Sequence, residues 1–335
     1  AGYKQTDIGV IPADWDVKRL GDIVRFNNGK AHERFIDDKG NYIVVNSKFI
    51  STEGEVFKTS DKNLSPLFIG DVAMVMSDIP NGKALAKCFF IKENGKYTLN
   101  QRICSFKSIG SDSLYLFYKL NRNKYFLDFD SGVGQTNLRR REVLDCPVAL
   151  PSNKTEQSAI STTLSDADAL IEKFEKLIEK KKNIKQGVMQ ELLTGKRRLP
   201  GFSGKWEAKE MGEIGKPYGG LSGKIKSDFG IGNSVYIPFM NIMSNPVIDP
   251  GYLDIVKIRP GEYQNKAQKS DLFFNGSSET PEEVGMCSVL LSDIPNLYLN
   301  SFCFGFRLNP DLHADGLFFS YYFRSSVGRE LIFSL

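Results

Sequence analysis

The chain contains one short phrase twice, and each copy begins with one of its two tryptophans. Residues 15–23 read WDVKRLGDI, and residues 206–214 read WEAKEMGEI. Tryptophan, acid, lysine, aliphatic, glycine, acid and isoleucine recur at identical spacing. This repeat constrains the fold more than any other feature, because it predicts one domain built twice.

The repeat continues beyond the tryptophans with a slowly growing offset. The offset is 191 at Trp15, and it becomes 194 where the Tyr-Ile pair at 42–43 is aligned with the pair at 236–237. The later landmarks share an offset of 200: Asp71 with Asp271, Leu99 with Leu299, and Phe106 with Phe306. Loop insertions between shared framework strands produce such growth.

Composition predicts a soluble protein of about two domains. No run of 18 or more apolar residues occurs, so we expect no membrane span, and the first residues lack the apolar core of a signal peptide. The five cysteines are scattered without a C-x-x-C pair, which suits a reducing compartment. We therefore expect a cytoplasmic protein.

The net charge of +4 is unevenly distributed along the chain. Residues 1–151 carry +4, residues 152–200 carry +3, and residues 201–335 carry −3. This balance permits DNA binding without demanding it. If DNA is the partner, the contacts must be concentrated on one surface.

Strand and helix patterns alternate within each copy and predict mixed α/β modules. Residues 113–127 are aromatic-rich with helical spacing, and the aromatic side chains of 115–129 are more typical of a core than of stacking platforms. Runs that favour strands lie at 42–45, 72–76, 87–91, 102–106 and 146–150. The predicted organisation is a first module at 1–151, a long helix at 152–199 and a second module at 200–335.

The helix between the modules has the pattern of a coiled coil. Asn153 fits an N-cap with Glu156 as its capping partner, and Gly195 ends the helix. Apolar residues recur at alternating spacings of four and three: Ile160, Leu164, Ala167, Ile171, Phe174 and Ile178. A helix over 153–194 would be about 63 Å long at roughly 1.5 Å per residue. Such a seam needs a partner helix.

The logic of the repeat predicts that a strand and a second long helix follow the second module. The chain ends at Leu335 before either of them. We therefore expect the second copy to be truncated.

The sequence motifs of catalysis are missing. The two histidines, His32 and His313, have no triad-like or metal-like neighbours in sequence. No G-x-x-x-x-G-K-[ST] phosphate loop and no glycine-rich cofactor loop occur. We expect no catalytic residue, no metal and no cofactor, which disfavours an autonomous nuclease or methyltransferase.

Four segments together resemble the specificity (S) subunits of type I restriction-modification systems. The resemblance covers nearly the whole chain from about Ile8, and KQGVMQELLTGK at 185–196 is its most specific part. The other segments are the phrase at Trp15, the GVGQTN loop at 132–137, and Pro151 with Glu156-Gln157.

The resemblance implies an α/β (α+β) fold with two repeated target-recognition domains separated by a long coiled-coil-forming helix. Each domain would read one half of a bipartite target in double-stranded DNA, and the helix would set the gap and dock methyltransferase (M) subunits. A motor-endonuclease (R) subunit would join them. The chain itself would be non-catalytic, within a complex that methylates adenine N6 and cleaves DNA.

Two alternatives stay open beside this implication. The missing second helix leaves self-association through the unpaired helix open. A non-catalytic scaffold with two protein-binding modules is the alternative function.

The candidate DNA contacts lie in the variable intervals of the repeat. Base reading needs Arg, Lys, Asn and Gln on the loops of a rigid scaffold, and phosphate contacts need Lys and Arg. The candidates are Lys30, Asn46, Lys48, Lys83, Gln135, Asn137, Arg139, Arg140, Lys224, Lys226, Asn241, Ser277 and Ser278.

Several candidates also fit a purely structural role. Asn137 fits a turn cap, and the run Arg139–Arg141 fits a solvated surface. Lys30 and Lys224 follow glycines in corresponding loops, which favours phosphate contact for both.

Asn46 and Asn241 follow the matched Tyr-Ile strands. This shared position raises the chance of base contact, although a structural role is favoured for each.

Overall fold

The structure is a computed structural model that describes residues 2–80, 82–312 and 314–334. It divides into two compact units, Ala1–Phe174 and Glu175–Leu335. The long helix passes through the point of division, so each unit holds part of it. The boundaries 1–151, 152–199 and 200–335 stay a prediction.

Unit 1 is built from short strands and helices. Its strands are β1 (Tyr3–Thr6), β2 (Gly9–Pro12), β3 (Trp15–Arg19), β4 (Val24–Asn28), β5 (Tyr42–Val45), β6 (Thr59–Ser60), β7 (Val72–Val75), β8 (Ser77–Asp78), β9 (Cys88–Phe90), β10 (Tyr97–Leu99), β11 (Ile103–Ser108), β12 (Thr136–Asn137) and β13 (Pro147–Pro151). Its helices are α1 (Leu20–Ile23), α2 (Ser47–Ser51), α3 (Ser113–Leu120), α4 (Lys124–Leu127), α5 (Arg140–Leu144) and the start of α6 (Lys154–Leu192).

Unit 2 follows the end of α6. Its strands are β14 (Gly215–Gly219), β15 (Phe229–Ile237), β16 (Asp254–Val256), β17 (Leu272–Asn275), β18 (Cys287–Val289), β19 (Leu297–Leu299) and β20 (Cys303–Leu308). Its further helices are α7 (Met211–Ile214), α8 (Phe239–Ser244), α9 (Gly316–Arg324) and α10 (Ser326–Phe333).

The same two sheets occur in both units. The four-stranded sheet has the order β4–β11–β7–β9 in unit 1 and β14–β20–β17–β18 in unit 2. The three-stranded sheet has the order β10–β5–β6 in unit 1 and β16–β15–β19 in unit 2, each with one parallel pair. The repeat predicted from the tryptophan phrases is therefore confirmed as a repeated mixed α/β fold.

One landmark of the predicted alignment is wrong by two residues. In the parallel ladders Val45 pairs with Leu99, and Ile237 pairs with Leu299, so the offset at this strand is 192 rather than 194. Val45 and Ile237 are both fully buried, and burial of one face sets the register of a strand. The two Tyr-Ile pairs are not equivalent.

The central strand of each four-stranded sheet is buried on both faces. In β7, Val72 and Met74 pack into the core that contains α3, whereas Ala73 and Val75 pack with Phe49 of α2. Successive side chains of a strand point to opposite faces, so one apolar run serves two cores. Strand β17 divides its side chains in the same way. Polar functional groups must therefore come from strand ends and loops.

Four of the six aromatic residues of 115–129 belong to the core, as expected, whereas Tyr118 lies outside it and Phe129 is 40% exposed. Tyr115 and Phe126 are fully buried, and the Tyr115 hydroxyl donates to the Ala149 carbonyl at 2.8 Å. The predicted helical segment is split into two helices. Asn123 caps the second of them by accepting the Tyr125 N–H at 2.9 Å.

Helix α6 starts at the predicted cap. Asn153 Oδ1 accepts the Thr155 N–H at 2.8 Å, which confirms this residue as the cap. The capping role predicted for Glu156 is wrong. Its carboxylate accepts the Trp15 indole N–H at 3.2 Å instead, so the tryptophan of the repeat contacts the first turn of the helix.

Asp112 fixes the next turn of α6 to unit 1. Its carboxylate accepts from the hydroxyls of Ser158 (2.9 Å) and Ser161 (3.0 Å), and its own N–H donates to Gln157 at 2.9 Å. Burial raises the pKa of Asp112, but hydrogen bonds from the Tyr115 N–H and the two serines outweigh it and hold the pKa below its usual value. The carboxylate therefore stays charged at neutral pH.

The coiled-coil seam of α6 is exposed beyond its first residue, Ile160, which packs against the core of unit 1. Ile171, Phe174 and Ile178 each have more than half of their surface open to solvent. The helix has 39 residues, which corresponds to about 58 Å. Gly195, with φ of 70°, lies beyond its end, and a Cβ there would meet the Trp206 indole at 3.1 Å. Among the described residues, no helix has the length and apolarity needed to cross a bilayer.

Candidate nucleic-acid interface

Three strand ends meet at one edge of the four-stranded sheet in unit 1. Antiparallel pairing places Asn28, the last residue of β4, beside Cys104, and Val75, the last residue of β7, beside Ile103. The loops that leave these ends are therefore neighbours. They form what we term the polar edge of unit 1, which comprises residues 29–30, 76–78 and 100–102.

Gly29 fixes the backbone of Lys30 at the polar edge. A Cβ at Gly29 would lie 1.8 Å from the Asn100 carbonyl oxygen, so a residue with a side chain does not fit. The Lys30 N–H donates to the Leu99 carbonyl at 3.0 Å, and the Lys30 carbonyl accepts from Gln101 at 3.1 Å. The Lys30 side chain is exposed and can meet an anion.

The same close approach recurs in unit 2. A Cβ at Gly220 would lie 2.1 Å from the Asn300 carbonyl oxygen, and Leu221 repeats the backbone hydrogen bond of Lys30, at 2.8 Å. Lys30 is therefore equivalent to Leu221. The predicted correspondence between Lys30 and Lys224 is wrong, because Lys224 lies three residues farther along the loop.

Substitution at the adjacent glycines of unit 2 tests this close approach. Gly220→Ala is expected to lower the free energy of unfolding by about 1–3 kcal/mol, because the new methyl meets backbone that cannot move aside without strain. Gly219→Ala is the matched control, since a Cβ there meets nothing within 4 Å. Denaturant unfolding measures both variants. Equal losses of stability would contradict the close-approach account.

A serine at the polar edge joins the two amides of the glycine-rich loop. The Ser77 hydroxyl donates to Asn137 Oδ1 and accepts from Gln135 Nε2, both at 2.7 Å. Asn137 lies opposite Ser77 in the β8–β12 pair. Thr136, between the amides, donates to Asp130 at 3.1 Å. Gln135 and Asn137 are exposed, so the loop presents two positioned amides, and Asn137 also donates to the Gln135 main-chain carbonyl at 3.5 Å.

Asp78 organises the loop that carries Lys83. Its carboxylate accepts from the backbone N–H groups of Ile79 (2.9 Å), Ala84 (2.7 Å) and Leu85 (3.0 Å). The two arms of the loop are thus tied to one side chain. Lys83 is exposed on this loop, next to the polar edge.

The three arginines after the glycine-rich loop differ in their surroundings. Arg141 lies 3.4 Å from the Asp145 carboxylate. The Arg140 guanidinium lies 5.3 Å from the centre of the Phe26 ring. The Arg139 side chain is 85% exposed and lies 4.0 Å from the Glu142 carboxylate. Arg140 has no carboxylate partner among these contacts and Arg139 only a distant one, so both can bind phosphate, whereas Arg141 lies closer to its carboxylate.

Asn46 has a structural role at the start of α2. Its Oδ1 accepts the Phe49 N–H at 2.9 Å, which is an N-cap bond. The preceding residue, Val45, accepts from Asn100 at 3.1 Å, so α2 starts beside the polar edge. Lys48 is exposed on α2, and it is better placed than Asn46 to reach an anion.

Asn241 lies inside unit 2 rather than on a loop. It is fully buried in α8, where its amide donates to the carbonyls of Asp249 (2.9 Å) and Tyr252 (2.6 Å) and accepts the Asp249 N–H at 3.0 Å. The N-cap position of α8, which Asn46 occupies in α2, is held by Pro238, and Pro238 makes no side-chain hydrogen bond to the helix. The structure corrects the expectation of base contact at Asn241, because its amide is already used inside the unit.

Lys224 is neutralised within unit 2. Its ammonium lies 2.5 Å from the Glu262 carboxylate and donates to the Lys257 carbonyl at 2.7 Å, and only 4% of its side chain is exposed. The hydrogen bond from Lys224 lowers the pKa of Glu262 to about 2, so this carboxylate is charged at neutral pH. A phosphate would have to displace this carboxylate, which removes Lys224 from the candidates. Lys226 is exposed and stays a candidate.

Ser277 and Ser278 lie on an acidic loop after β17. The buried Asn275 holds this loop by donating to the carbonyls of Ser277 (3.2 Å) and Glu283 (2.7 Å). The Ser278 hydroxyl donates to the Glu283 carboxylate at 2.7 Å and lowers the pKa of Glu283. Carboxylates repel phosphate, so the loop suits a base edge that donates, such as the amino group of cytosine.

A shallow cleft supplies unit 2 with other exposed groups. It has a volume of about 330 Å³ and is lined in part by Lys216, Tyr263 and Lys266. Asn265 in its wall donates to the Gly219 carbonyl at 3.1 Å, so the cleft adjoins the end of β14. Tyr263 is 88% exposed. Sequence reasoning missed this cleft, because its residues come from separate strands and loops.

Sequence reasoning also missed Ser77, Arg102 and Phe302. Arg102 is exposed at the turn before β11, with φ of 67°, and its carbonyl accepts the Met76 N–H at 3.1 Å. Phe302 stands at the equivalent turn of unit 2 and is 66% exposed. The constant offset of 200 was the signal that could have paired the two turns. The position of Ser77 depends on the pairing of β8 with β12, which the sequence does not reveal.

The remaining titratable groups are buried or dispersed. Among the described residues, no group of three or more His, Cys, Asp or Glu side chains is arranged to hold a metal ion. His32 is buried between the Lys30 carbonyl (2.6 Å) and the Thr98 hydroxyl (2.8 Å), and His313 lies outside the described residues. Burial raises the pKa of the Cys146 and Cys303 thiols to about 12.

Several known proteins are similar to this chain in sequence, and two of them illustrate the likeness. The type I restriction enzyme MjaVIII specificity subunit of Methanocaldococcus jannaschii is 25% identical over 275 residues, which cover 76% of this chain and 61% of that protein. The putative type I restriction enzyme MjaX specificity subunit of the same organism is 26% identical over 235 residues, which cover 63% and 55%. The chain thus spans less than two thirds of the length of these relatives.

A crystal structure of the type I restriction-modification system S subunit from M. genitalium has a similar fold. The TM-score is 0.55 at 16% identity, and the match covers 95% of this chain and 79% of that one. At this identity the likeness bears on the fold alone.

Family membership follows from a match over more than half of the chain. The family model of the type I restriction modification DNA specificity domain matches residues 12–186. That range contains the first tryptophan phrase, the whole polar edge of unit 1 and most of α6. The chain belongs to the type I restriction modification DNA specificity domain family.

Proposed function

We propose that this chain is the DNA-sequence-specificity subunit of a type I restriction-modification complex and catalyses no reaction itself. Each unit reads one half of a bipartite target in double-stranded DNA. Helix α6 sets the gap between the halves and docks methyltransferase subunits, and a motor-endonuclease subunit joins the assembly. Two-module protein scaffolding is not favoured, because the relatives are named specificity subunits of restriction enzymes.

The observation that carries the proposal is the polar edge of unit 1. Lys30, Arg102 and the amides joined by Ser77 come from sequence positions up to 107 residues apart and lie on neighbouring strand ends. Loops on a rigid sheet are where base-reading side chains are best positioned. Lys48, Lys83, Arg139 and Arg140 add cations around it that suit phosphate contact.

The two units present different chemistry at equivalent places. Leu221 replaces Lys30, Phe302 replaces Arg102, and an acidic loop follows β17. Unit 2 instead offers Lys226 and the cleft with Lys216 and Lys266. Different chemistry on one framework supports recognition of two different half-sites. Unit 1 then contributes the larger share of the phosphate contacts.

The exposed seam of α6 supports docking of a further protein. Large apolar side chains such as Ile171, Phe174 and Ile178 rarely form a continuous exposed stripe without a partner. We assign this stripe to the methyltransferase subunits. Sedimentation of the chain alone and with those subunits tests the assignment: self-association that added subunits do not displace would contradict it.

Selection of bound sequences from a random DNA library tests the function as a whole. The full chain is used together with the methyltransferase subunits. Enrichment of a bipartite motif with a fixed gap is expected. No enriched motif over a range of salt concentrations would overturn the proposal.

Replacing Arg139 and Arg140 together with alanine is expected to weaken DNA binding to all sequences alike. If each arginine contacts one phosphate, the slope of log K against log salt falls by about 0.9 per residue. Titration at several salt concentrations measures the slope. Arg141→Ala is the matched control, because it removes the same charge from a residue already close to Asp145. An unchanged slope in the double variant would identify a solvated surface.

A further inference from the structure

Ser77 connects two amides through a single hydroxyl. Its oxygen lies 2.7 Å from Asn137 Oδ1 and 2.7 Å from Gln135 Nε2. Ser77 itself is buried, whereas both amides are exposed. The hydroxyl therefore holds the inner ends of two amides whose outer ends face solvent.

A hydroxyl in this position determines which hydrogen-bond donors and acceptors of the two amides face solvent. It carries one hydrogen, so it donates to one amide oxygen and accepts from one amide N–H. Gln135 then keeps its side-chain carbonyl oxygen for an outside partner. The Asn137 NH₂ group donates one hydrogen to the Gln135 main-chain carbonyl, at 3.5 Å, and keeps the other for an outside partner. Reversal of both amides exchanges these roles, but one acceptor and one donor still face outward.

One donor beside one acceptor matches one purine edge in the major groove. Adenine presents N7, an acceptor, beside its N6 amino group, a donor. Guanine presents two acceptors, N7 and O6, so one of them would face the amide carbonyl. The outward pair therefore favours adenine and disfavours guanine.

The surroundings of Ser77 make this arrangement rigid. Leu138 is buried, and its N–H donates to the Met76 carbonyl at 2.8 Å, so both strands are fixed beside the serine. Thr136 is tied to Asp130, which turns its side chain away from the two amides. Gln135 precedes β12, and its amide and that of Asn137 both reach the Ser77 hydroxyl, so the two side chains lie on the same side of the loop.

We propose that Ser77 is a specificity-determining positioning residue that sets Gln135 and Asn137 to read one adenine in the major groove of the first half-site. The proposal rests on the proposed function and names one base of its target. Ser77 acts through the amides and does not touch DNA itself. Without the hydroxyl the amides rotate independently, and a guanine becomes acceptable.

The test measures base preference at every position of the selected motif, with the full chain and the methyltransferase subunits. Ser77→Ala is expected to lower the preference for adenine about tenfold at one position of one half-site and to leave the rest of the motif unchanged. Ser77→Thr keeps the hydroxyl and is expected to keep the preference. Ser105→Ala is the matched control, because Ser105 is also a buried serine of unit 1, on β11 of the four-stranded sheet.

A modified base checks the donor and acceptor pattern directly. 7-Deazaadenine at the affected position lacks the N7 acceptor, so it is expected to weaken binding of the unmodified complex about tenfold. It is expected to have little effect on the Ser77→Ala complex. Equal effects on both complexes would overturn the proposal.

Other outcomes separate this proposal from the function on which it rests. The role of Ser77 alone would be overturned by any of three results for Ser77→Ala. The motif could stay unchanged, binding could weaken uniformly across the motif, or the change could fall at a position that prefers guanine or a pyrimidine. If Ser77→Ala does not fold, Gln135→Ala is used, since Gln135 is exposed, and it must lower the preference at a single position of one half-site, one that prefers adenine in the unmodified complex. Failure of the unmodified complex to select any motif would overturn both proposals.

Discussion

Replacing one half of the selected bipartite target with unrelated sequence is expected to lower the affinity of the assembled complex by about 10²- to 10⁴-fold. When one unit is bound, tethering makes the second contact intramolecular and gives it a high effective concentration. Removing either half-site removes that advantage together with the contacts themselves. Competition binding at one fixed salt concentration measures the loss.

The matched control changes an equal number of base pairs inside the gap. Those base pairs carry no predicted reading contact, so the affinity is expected to change little. A loss from one half-site no larger than the loss from the gap would contradict two-site recognition. Because unit 1 carries Lys30, Arg102, Arg139 and Arg140, its half-site is expected to contribute the steeper salt dependence.

The framework of this protein could be predicted because its signals are local or repeated. The spacing of the tryptophan phrases indicated two copies, and both copies fold into the same pair of sheets. The Asn153 cap could be found because it depends on neighbouring residues. Gly195 likewise lies beyond the end of α6 with a positive φ. Each of these features is encoded within a few residues or by the repeat itself.

The candidate site was predicted less well, because its chemistry depends on pairs far apart in sequence. Lys224 looked like a free cation, but Glu262, 38 residues later, neutralises it. Asn241 looked like a loop amide, but its partners lie eight and eleven residues away inside the unit. The role of Ser77 could not be predicted from the sequence, because its hydrogen-bond partners are 58 and 60 residues away along the chain.

The two units share the backbone features that the fold needs and differ in the exposed side chains proposed to contact DNA. Gly29 and Gly220 both meet an asparagine carbonyl, so the close backbone approach is kept in each copy. The residues that follow, Lys30 and Leu221, differ in charge and exposure. Under the proposed function, a backbone shared by both copies with different side chains at the strand ends would let the target change without rebuilding the core.

Inserting four residues into α6 near Lys180–Asn183 is expected to change the gap between the half-sites and not the bases read. Residues 180–183 are exposed, so the insertion disturbs no core contact. Four residues lengthen a helix by about 6 Å, which is nearly two base pairs at roughly 3.4 Å each. They also add one turn and about 40°, so the apolar seam stays nearly in phase.

Selection from a library in which the gap varies measures the result. The preferred gap is expected to lengthen by about two base pairs, and affinity for the original gap is expected to fall about 10²- to 10⁴-fold, because the two units no longer reach both halves at once. The matched control replaces residues 180–183 with the inserted sequence at constant length, and it is expected to keep the original gap. An unchanged gap with altered half-site bases would refute the proposal that α6 sets the gap between the half-sites.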